Sequence, residues 1–240
     1  MKATIYKASE RGTADYGWLK ANYSFSFADF FNPEKVNFGA LRVLNDDTID
    51  PGMGFGKHPH NNMEIITIPL QGSLKHRDSM SNKWIPIETG EVQVMSAGTG
   101  VQHSEMNNSL SELINLFQIW IIPNKQDVEP RYEQKKFEIS ERKNKLQILV
   151  SSIGENLKGS LKIHQDAQIS RIDLNKNSKF SYNIKSENHG VYVMVITGEV
   201  QIENESLIKR DAIGIEQTSE FEIKAIKNTE LLFVEVPMQF

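Results

Sequence analysis

The sequence has 240 residues, with 27 Lys and Arg against 31 Asp and Glu, a net charge of -4, and it contains no cysteine. Its composition, 39% hydrophobic and 24% charged, is that of a globular protein with one large or two small cores, and the missing cysteines exclude disulfides, Cys-ligated metals and thiol nucleophiles. The start MKATIYKASE lacks an apolar signal core. No apolar run predicts a membrane span and no basic block marks a nucleic-acid surface, so we expect a cytoplasmic protein that contacts neither directly.

The apolar residues recur mostly with a period of two, which is typical of β-strands. Short β-branched runs end at Gly, Asn, Asp or Pro, a spacing that indicates a sandwich or barrel. The stretch 129–139, rich in Glu and Lys, is the segment whose composition favours a helix. The predicted strands are residues 63–70, 73–78, 113–122, 146–150, 190–196, 200–202, 221–226 and 231–236.

An internal duplication is visible in the strand pattern. Residues 66–74 resemble 194–200 when their glycines are superposed, at an offset of 126, and residues 90–95 resemble 209–215. Strand–glycine–strand hairpins are common, so either similarity alone has a chance explanation. Together they predict two β-domains of similar architecture, joined by the polar stretch 124–145.

Two short motifs bring together residue types that bind metals. In His58-Pro59-His60, the imidazoles at i and i+2 project to the same face of an extended strand, about 6–7 Å apart. His103-Ser104-Glu105 repeats this geometry with one imidazole and one carboxylate. An exposed His-x-His pair without a metal is the alternative for either motif. Side by side in a barrel, the two motifs offer three nitrogens and one oxygen, a set that suits a catalytic divalent ion such as iron(II).

Longer segments around these motifs resemble those of a known fold family. The segment Gly52–Gly72, which holds His58, His60 and Glu64, is similar to the first cupin motif, with one extra residue before the last glycine. The segment Gly90–Asn107 is similar to the second, with serine in place of the usual proline and two extra residues before the histidine. These departures are those of the pirin family.

The resemblance to the pirin family covers most of residues 11–125. Tyr16, Tyr23 and Ser81 differ from residues frequent in the family, and none of them is a proposed ligand. Residues 140–240 match the layout of the family's degenerate second cupin without a sharp motif. The matching segments are residues 17–19, 24–29, 39–47, 54–56, 76–79 and 95–105.

The resemblance implies an all-β bicupin, two tandem double-stranded β-helix (jelly-roll) barrels. Residues 1–130 form the N-terminal cupin with the metal site, and residues 131–240 form a degenerate C-terminal cupin without a metal. The implied site holds one divalent transition metal, iron(II) before manganese, cobalt, nickel, copper or zinc. Its ligands, carried over by motif position, are His58, His60, His103 and Glu105.

The second half lacks this ligand set. At the offset of 126, the first two histidine positions fall on Ile184 and Ser186. The positions of the second pair fall near Ile223 and Ala225. We therefore expect no metal there, and surface or structural roles for His164 and His189.

Several polar and aromatic side chains have an open role. Glu64, at i+4 from His60, supplies the carboxylate ligand in the general cupin motif, whereas in pirin-like proteins the Glu of His-x-Glu does. We favour Glu105 as ligand and leave Glu64 either to orient an imidazole or to stand exposed on its strand. His76 is a candidate contact in the same cavity. The aromatic residues from Trp18 to Phe31 either pack in the core or close a flat substrate pocket.

Pirin-like bicupins are associated with quercetin 2,3-dioxygenase activity, which implies a small flavonol-like aromatic substrate and O2 as partners, with carbon monoxide released. Glu105 is the predicted catalytic base. The family also includes a metal-dependent transcription cofactor. The alternative is therefore a non-enzymatic, redox-dependent regulator acting through protein partners, and an isomerase or hydrolase with the same pocket is a third possibility.

Overall fold

The computed structural model describes all 240 residues as an almost entirely β protein. Two short 3-10 turns, Ala8–Glu10 and Ile139–Arg142, are its helical elements, and neither has the length or hydropathy to cross a membrane. The strands of the first half are β1 (Lys2–Tyr6), β2 (Gly12–Asp15), β3 (Leu19–Tyr23), β4 (Leu41–Ile49), β5 (Gly54–His60), β6 (Glu64–Gln71), β7 (Ser73–Asp78), β8 (Ile85–Glu88), β9 (Glu91–Ser96), β10 (Val101–Asn107) and β11 (Ile114–Ile121). Those of the second half are β12 (Arg131–Lys136), β13 (Gln147–Ser152), β14 (Leu161–Ile163), β15 (Gln168–Leu174), β16 (Lys179–Asn183), β17 (His189–Thr197), β18 (Glu199–Ile202), β19 (Glu205–Ile208), β20 (Ala212–Glu216), β21 (Glu220–Ala225) and β22 (Thr229–Pro237).

The strands form two barrels of similar topology. In the first barrel a seven-stranded sheet, ordered β12-β9-β6-β11-β4-β3-β2, faces a four-stranded sheet, β5-β10-β7-β8. In the second, β1-β20-β17-β22-β15-β13-β14 faces β16-β21-β18-β19. The four-stranded sheets match strand by strand, and the central strands of the seven-stranded sheets match as well, which confirms the predicted duplication and the bicupin fold. The sheets differ at one edge, where β2 and β3 pair antiparallel but β13 and β14 pair parallel. The superposed glycines, Gly72 and Gly198, lie in the matching hairpins, both with positive φ.

The edge strands of the two seven-stranded sheets are exchanged between the halves of the chain. β1 pairs with β20 of the second barrel, and β12 pairs with β9 of the first. Each exchanged strand covers an edge that would otherwise expose unpaired backbone groups. The chain therefore crosses the expected domain boundary at residue 130 in both directions.

The helix that the composition of residues 129–139 favours is not formed. The segment contains β12, in register with β9 from Arg131 opposite Ser96 to Lys136 opposite Glu91. The backbone groups offered by β9 outweigh the helix propensity of Glu and Lys, which is a weak preference that tertiary pairing overrides.

Alternating side chains divide each seven-stranded sheet into an inner and an outer face. On β17, Tyr192, Met194 and Ile196 belong to a cluster of 27 buried residues that joins the two barrels. Val191 and Val193, on the other face, belong to a cluster of 17 that fills the second barrel. In the first barrel the interior is apolar at one end, where eight residues cluster, and polar at the other.

Candidate metal centre

Adjacent strands of the four-stranded sheet bring the two histidine motifs together. β5 carries His58 and His60, and β10, which pairs with it, carries His103 directly opposite His58. Between His103 and Glu105 the pairing with β5 shifts register, so that Glu105 lies opposite Phe55. A bulge of this kind changes the direction of the side chains that follow it, and here both ends of the His-x-Glu motif are buried.

The three imidazoles converge on one point. Their ring centroids are 4.9 Å apart for His58 and His60, 4.3 Å for His58 and His103, and 4.8 Å for His60 and His103. One nitrogen of each ring lies within 4.8 Å of the others, a spacing that could hold a metal ion. Glu105 belongs to an overlapping group of the same kind, with His103 and His76.

Two of the three imidazoles are in the protonation state that a metal requires. Burial, followed by the neighbouring histidines, lowers the pKa of His60 to about 4 and that of His103 to about 3, so both rings are neutral at pH 7. Nε2 of His60 and both ring nitrogens of His103 are buried without a hydrogen-bonding partner. Nδ1 of His58 lies 2.8 Å from the carbonyl of Gly56. Donation to that carbonyl leaves Nε2 with its lone pair, as metal-binding histidines require.

The carboxylate of Glu105 is held by a side chain from the opposite sheet. Nε2 of Gln118, on β11, donates to both of its oxygens, at 3.2 and 3.0 Å. Oε1 of Gln118 accepts a hydrogen bond of 3.1 Å from the hydroxyl of Thr67 on β6. The amide is thus fixed with its nitrogen toward Glu105. Gln118 belongs to no recognisable sequence motif. The one feature that could have indicated it is that a polar residue stands in a mostly apolar strand.

Glu64 takes neither of the two places that the sequence suggested for it. It is fully buried at the start of β6 and accepts a 2.7 Å hydrogen bond from the hydroxyl of Ser96. Burial raises its pKa to about 7, although Ser96, the backbone of His164 and the charge of Arg131 act in the opposite direction. Glu64 does not line the cavity described below, and it is absent from both groups of candidate ligands.

The remaining histidines lie outside the cluster of three. His76 is buried behind His103, with ring centroids 5.2 Å apart. Nε2 of His76 lies 3.1 Å from Asp78 and Nδ1 lies 3.3 Å from the amide of Gln93, so neither nitrogen is free. His189 is buried in the second barrel against Glu235, which confirms its structural role.

A cavity of about 520 Å³ opens beside the histidines. Trp18 and Phe27 are among its aromatic walls, as the substrate-pocket alternative predicts, whereas Phe25 packs in the core and Phe31 is exposed. Sequence reasoning did not assign Asn45, Asp47, Gln118 or Trp120 to the site. The cavity is lined by Trp18, Phe27, Asn45, Asp47, Gly54, Phe55, Gly56, Lys57, His58, His60, His103, Glu105, Gln118 and Trp120.

The corresponding space in the second barrel is occupied by apolar side chains. Ile184, Ile223 and Ala225 stand at or near the positions equivalent to the ligands and belong to the cluster that fills this barrel. Tyr182 stacks on Phe233 at 4.8 Å within the same interior.

Comparison with known proteins agrees with the division into two cupins. Residues 5–121 match the family described as Pirin, and residues 148–236 match the quercetinase C-terminal cupin domain. The quercetin 2,3-dioxygenase of Escherichia coli K12 is 42% identical over 97% of this chain and 98% of its own length. A pirin-like protein of Caulobacter vibrioides is 38% identical over 93% and 95%.

A solved structure shows the same architecture. The bacterial pirin YhhW from E. coli, crystallised in complex with nickel(II), superposes with a TM-score of 0.91 at 38% identity. The match covers 98% of this chain and 99% of that protein.

Proposed function

Because the chain belongs to the pirin family, we propose that it is a metal-dependent dioxygenase that opens the central ring of a flavonol such as quercetin with O2 and releases carbon monoxide. The observation that carries this proposal is the convergence of three imidazoles at the wall of an aromatic cavity, two of them with buried nitrogens that have no hydrogen-bonding partner, beside the carboxylate of Glu105. The name of the E. coli relative supports the substrate class.

The proposed ligands are His58, His60, His103 and Glu105. The buried nitrogens without partners fit a divalent transition metal, because each neutral imidazole keeps one nitrogen lone pair that can bind the ion, and burying a polar atom without a partner is costly. We propose iron(II) for a dioxygenase, while three nitrogens and one oxygen also accept manganese, cobalt, nickel, copper or zinc. The apolar interior of the second barrel supports a single metal site, in the cupin that residues 1–130 mainly form.

When bound, such an ion would lower the pKa of a substrate hydroxyl that coordinates it, and the deprotonated substrate would react more readily with O2. Glu105 accepts the proton of the flavonol hydroxyl as general base. Gln118 holds both oxygens of that carboxylate from the facing sheet and so fixes its direction. The reaction then breaks two carbon–carbon bonds of the central ring: both oxygen atoms of O2 enter the ester product, and the carbon between the broken bonds leaves as carbon monoxide.

The cavity walls position the planar substrate and keep water away from it. Trp18 and Phe55 meet edge to face at 5.4 Å, as do Phe27 and Trp120. Trp120 in turn lies 4.9 Å from the ring of His60. Aromatic surfaces of this kind favour a flat ring system and limit hydrolysis of reactive intermediates.

The test is turnover of quercetin under O2 by protein loaded with iron(II), with carbon monoxide and O2 consumption both measured. We expect stoichiometric carbon monoxide, and its loss in His58→Ala but not in His164→Ala, a histidine outside the site. Metal-loaded protein that releases no carbon monoxide would contradict the proposal. A partner protein captured in only one oxidation state of the metal would instead favour the redox-dependent regulator.

A further inference from the structure

Two polar side chains of β4 face the cavity with unpaired atoms. Asn45 and Asp47 line the cavity and are only 3% and 5% exposed, yet Oδ1 of each has no hydrogen-bonding partner. Asp46, between them, points to the other face, where the guanidinium of Arg210 holds it at 2.7 Å. Because side chains alternate along the strand, Asn45 and Asp47 both face the cavity.

The position of these groups relative to the histidines is fixed by the two sheets. Asn45 and Asp47 pair across β4 and β11 with Gln118 and Leu116. They thus stand on the seven-stranded sheet, on the same side of the cavity as Gln118, whereas the histidines stand on the four-stranded sheet. A ligand that contacts the histidines at one end therefore has its other end beside Asn45 and Asp47 on the seven-stranded sheet.

Unpaired polar atoms in such a place have a general consequence for recognition. Buried polar groups in folded proteins are nearly always hydrogen-bonded, and those that are not call for a ligand, an ion or a water. A site built to hydrogen-bond a hydroxyl also rejects an analogue that lacks it, because the site's own groups are then left buried and unpaired. The indole N–H of Trp120, also buried and unpaired at this cavity, offers a donor beside the two acceptors.

We propose that Asn45 and Asp47 form a hydroxyl-recognition subsite, which accepts hydrogen bonds from hydroxyl groups that an aromatic ligand carries in addition to the one directed at the histidines. The subsite restricts the substrate class from flat aromatic compounds in general to polyhydroxylated ones. The inference rests on the proposed function for the class of ligand, but it concerns binding and does not require turnover.

The test compares two ligands that differ only in hydroxyl groups, quercetin and the unsubstituted parent flavonol. Binding is measured without O2, on metal-loaded protein, by quenching of tryptophan fluorescence, since Trp18 and Trp120 line the cavity. We expect the wild type to bind quercetin at least about tenfold more tightly than the parent flavonol, as one hydrogen bond to a buried group allows. This comparison needs no variant and therefore no assumption about folding.

Substitutions then assign the preference to the subsite. Asn45→Leu and Asp47→Leu are each expected to reduce the preference for quercetin by about tenfold, with the affinity for the parent flavonol nearly unchanged. Asp47→Asn, which keeps an acceptor, should restore most of the preference. Asn22→Leu is the matched control, because Asn22 lies beside Asp46 on β3 and donates to its backbone on the side away from the cavity.

Three outcomes overturn the subsite: no preference in the wild type, a preference that survives both leucine variants with native thermal midpoints, and no binding of either flavonol. Carbon monoxide release without a hydroxyl preference would overturn the subsite and leave the dioxygenase standing. A hydroxyl preference without carbon monoxide release would support the subsite and contradict the dioxygenase.

Discussion

Nε2 of Gln118 donates hydrogen bonds to both carboxylate oxygens of Glu105, at 3.2 and 3.0 Å, across the interior of the first barrel. This contact joins the sheet that carries the histidines to the sheet that carries Asn45 and Asp47. It directs a carboxylate that would otherwise be free to rotate. The proposed base and ligand is therefore positioned by a residue that belongs to neither histidine motif.

Gln118→Leu should weaken both metal binding and turnover. The carboxylate of Glu105 loses the two hydrogen bonds that hold it, and loss of such an orienting partner typically costs about 10–100-fold in affinity or activity. Metal affinity by chelator competition and kcat/KM for quercetin are the measurements. Thr67→Val is the control and should have a smaller effect, because it removes only the hydrogen bond from Thr67 to Oε1 of Gln118. Equal effects of the two substitutions would contradict the assigned role.

Glu105→Gln and Glu64→Gln should separate the two carboxylates that the sequence left open. Glu105 lies with the histidines, whereas Glu64 is bound by Ser96 away from the cavity. Elemental analysis should find the metal content clearly reduced in Glu105→Gln and near that of the wild type in Glu64→Gln. The reverse order would place the ligand in the first motif.

Glu64 should also make the stability of the metal-free protein depend on pH. Its pKa is raised from 4.5 to about 7 in the folded state, so between these values the folded chain binds a proton that the unfolded chain has lost. Stability due to this group therefore falls as pH rises from about 4.5 to about 7, by on the order of 3–4 kcal/mol, at about 1.4 kcal/mol for each unit of pKa.

The measurement for this effect is the difference in unfolding free energy between Glu64→Gln and the wild type. The glutamine variant should gain on the wild type as the pH rises from 5 to 8. A difference measurement is needed because Asp47, whose pKa burial and Asp46 raise to about 8, adds a slope of the same sign. Glu205→Gln, an exposed strand residue, should show a flat difference. A flat difference for Glu64→Gln as well would show that its carboxyl is not perturbed.

Arg210→Met should destabilise the contact between the barrels. Arg210 donates to Asp46 at 2.7 Å and to Asn115 at 2.9 Å, and it does so with φ at 69°, a backbone region that favours glycine. Removing one partner of a buried pair costs about 3–5 kcal/mol. We expect about 2–3 kcal/mol here, because Arg11 stays 3.6 Å from Asp46.

Chemical denaturation checks this expectation. Asp46→Asn should add to the loss in the Arg210→Met background, because it removes the carboxylate that lies 3.6 Å from the buried guanidinium of Arg11. Lys227→Met, which breaks an exposed pair with Glu199, should cost less than about 1 kcal/mol. Similar losses for Arg210→Met and Lys227→Met would mean that the ion pair between the barrels adds no more than a surface contact.

Much of the fold and the centre of the site could be predicted because the strands and the faces of their side chains follow from patterns between residues close in the sequence. The period of two gave the strands, and the glycines at Gly72 and Gly198 gave the offset between barrels. Likewise, i and i+2 spacing is sufficient to place His58 beside His60 on one face. The pairing of His103 with His58 required only that β5 and β10 be neighbours.

The parts that could not be predicted depend on contacts between distant segments. No local pattern shows that β1 joins the second barrel, or that the Glu- and Lys-rich segment becomes β12 once β9 offers it an edge. Glu64 has the i+4 spacing from His60, but β5 ends at His60 and β6 begins at Glu64, so the two residues lie on different sheets. The carboxylate of Glu64 is bound instead by Ser96 from β9. Asn45 and Asp47 became candidates only when the facing sheet placed them at the cavity.

We propose that His58, His60, His103 and Glu105 hold a single divalent metal inside the first barrel. Anomalous diffraction from crystals of the iron-loaded protein, recorded at the iron absorption edge, tests it most directly. One peak in the chain, about 2.0–2.3 Å from these four side chains as is usual for such ligands, is the expected result. No peak at this position after soaking with iron(II) salts, or a peak at another position, would contradict this assignment of the ligands.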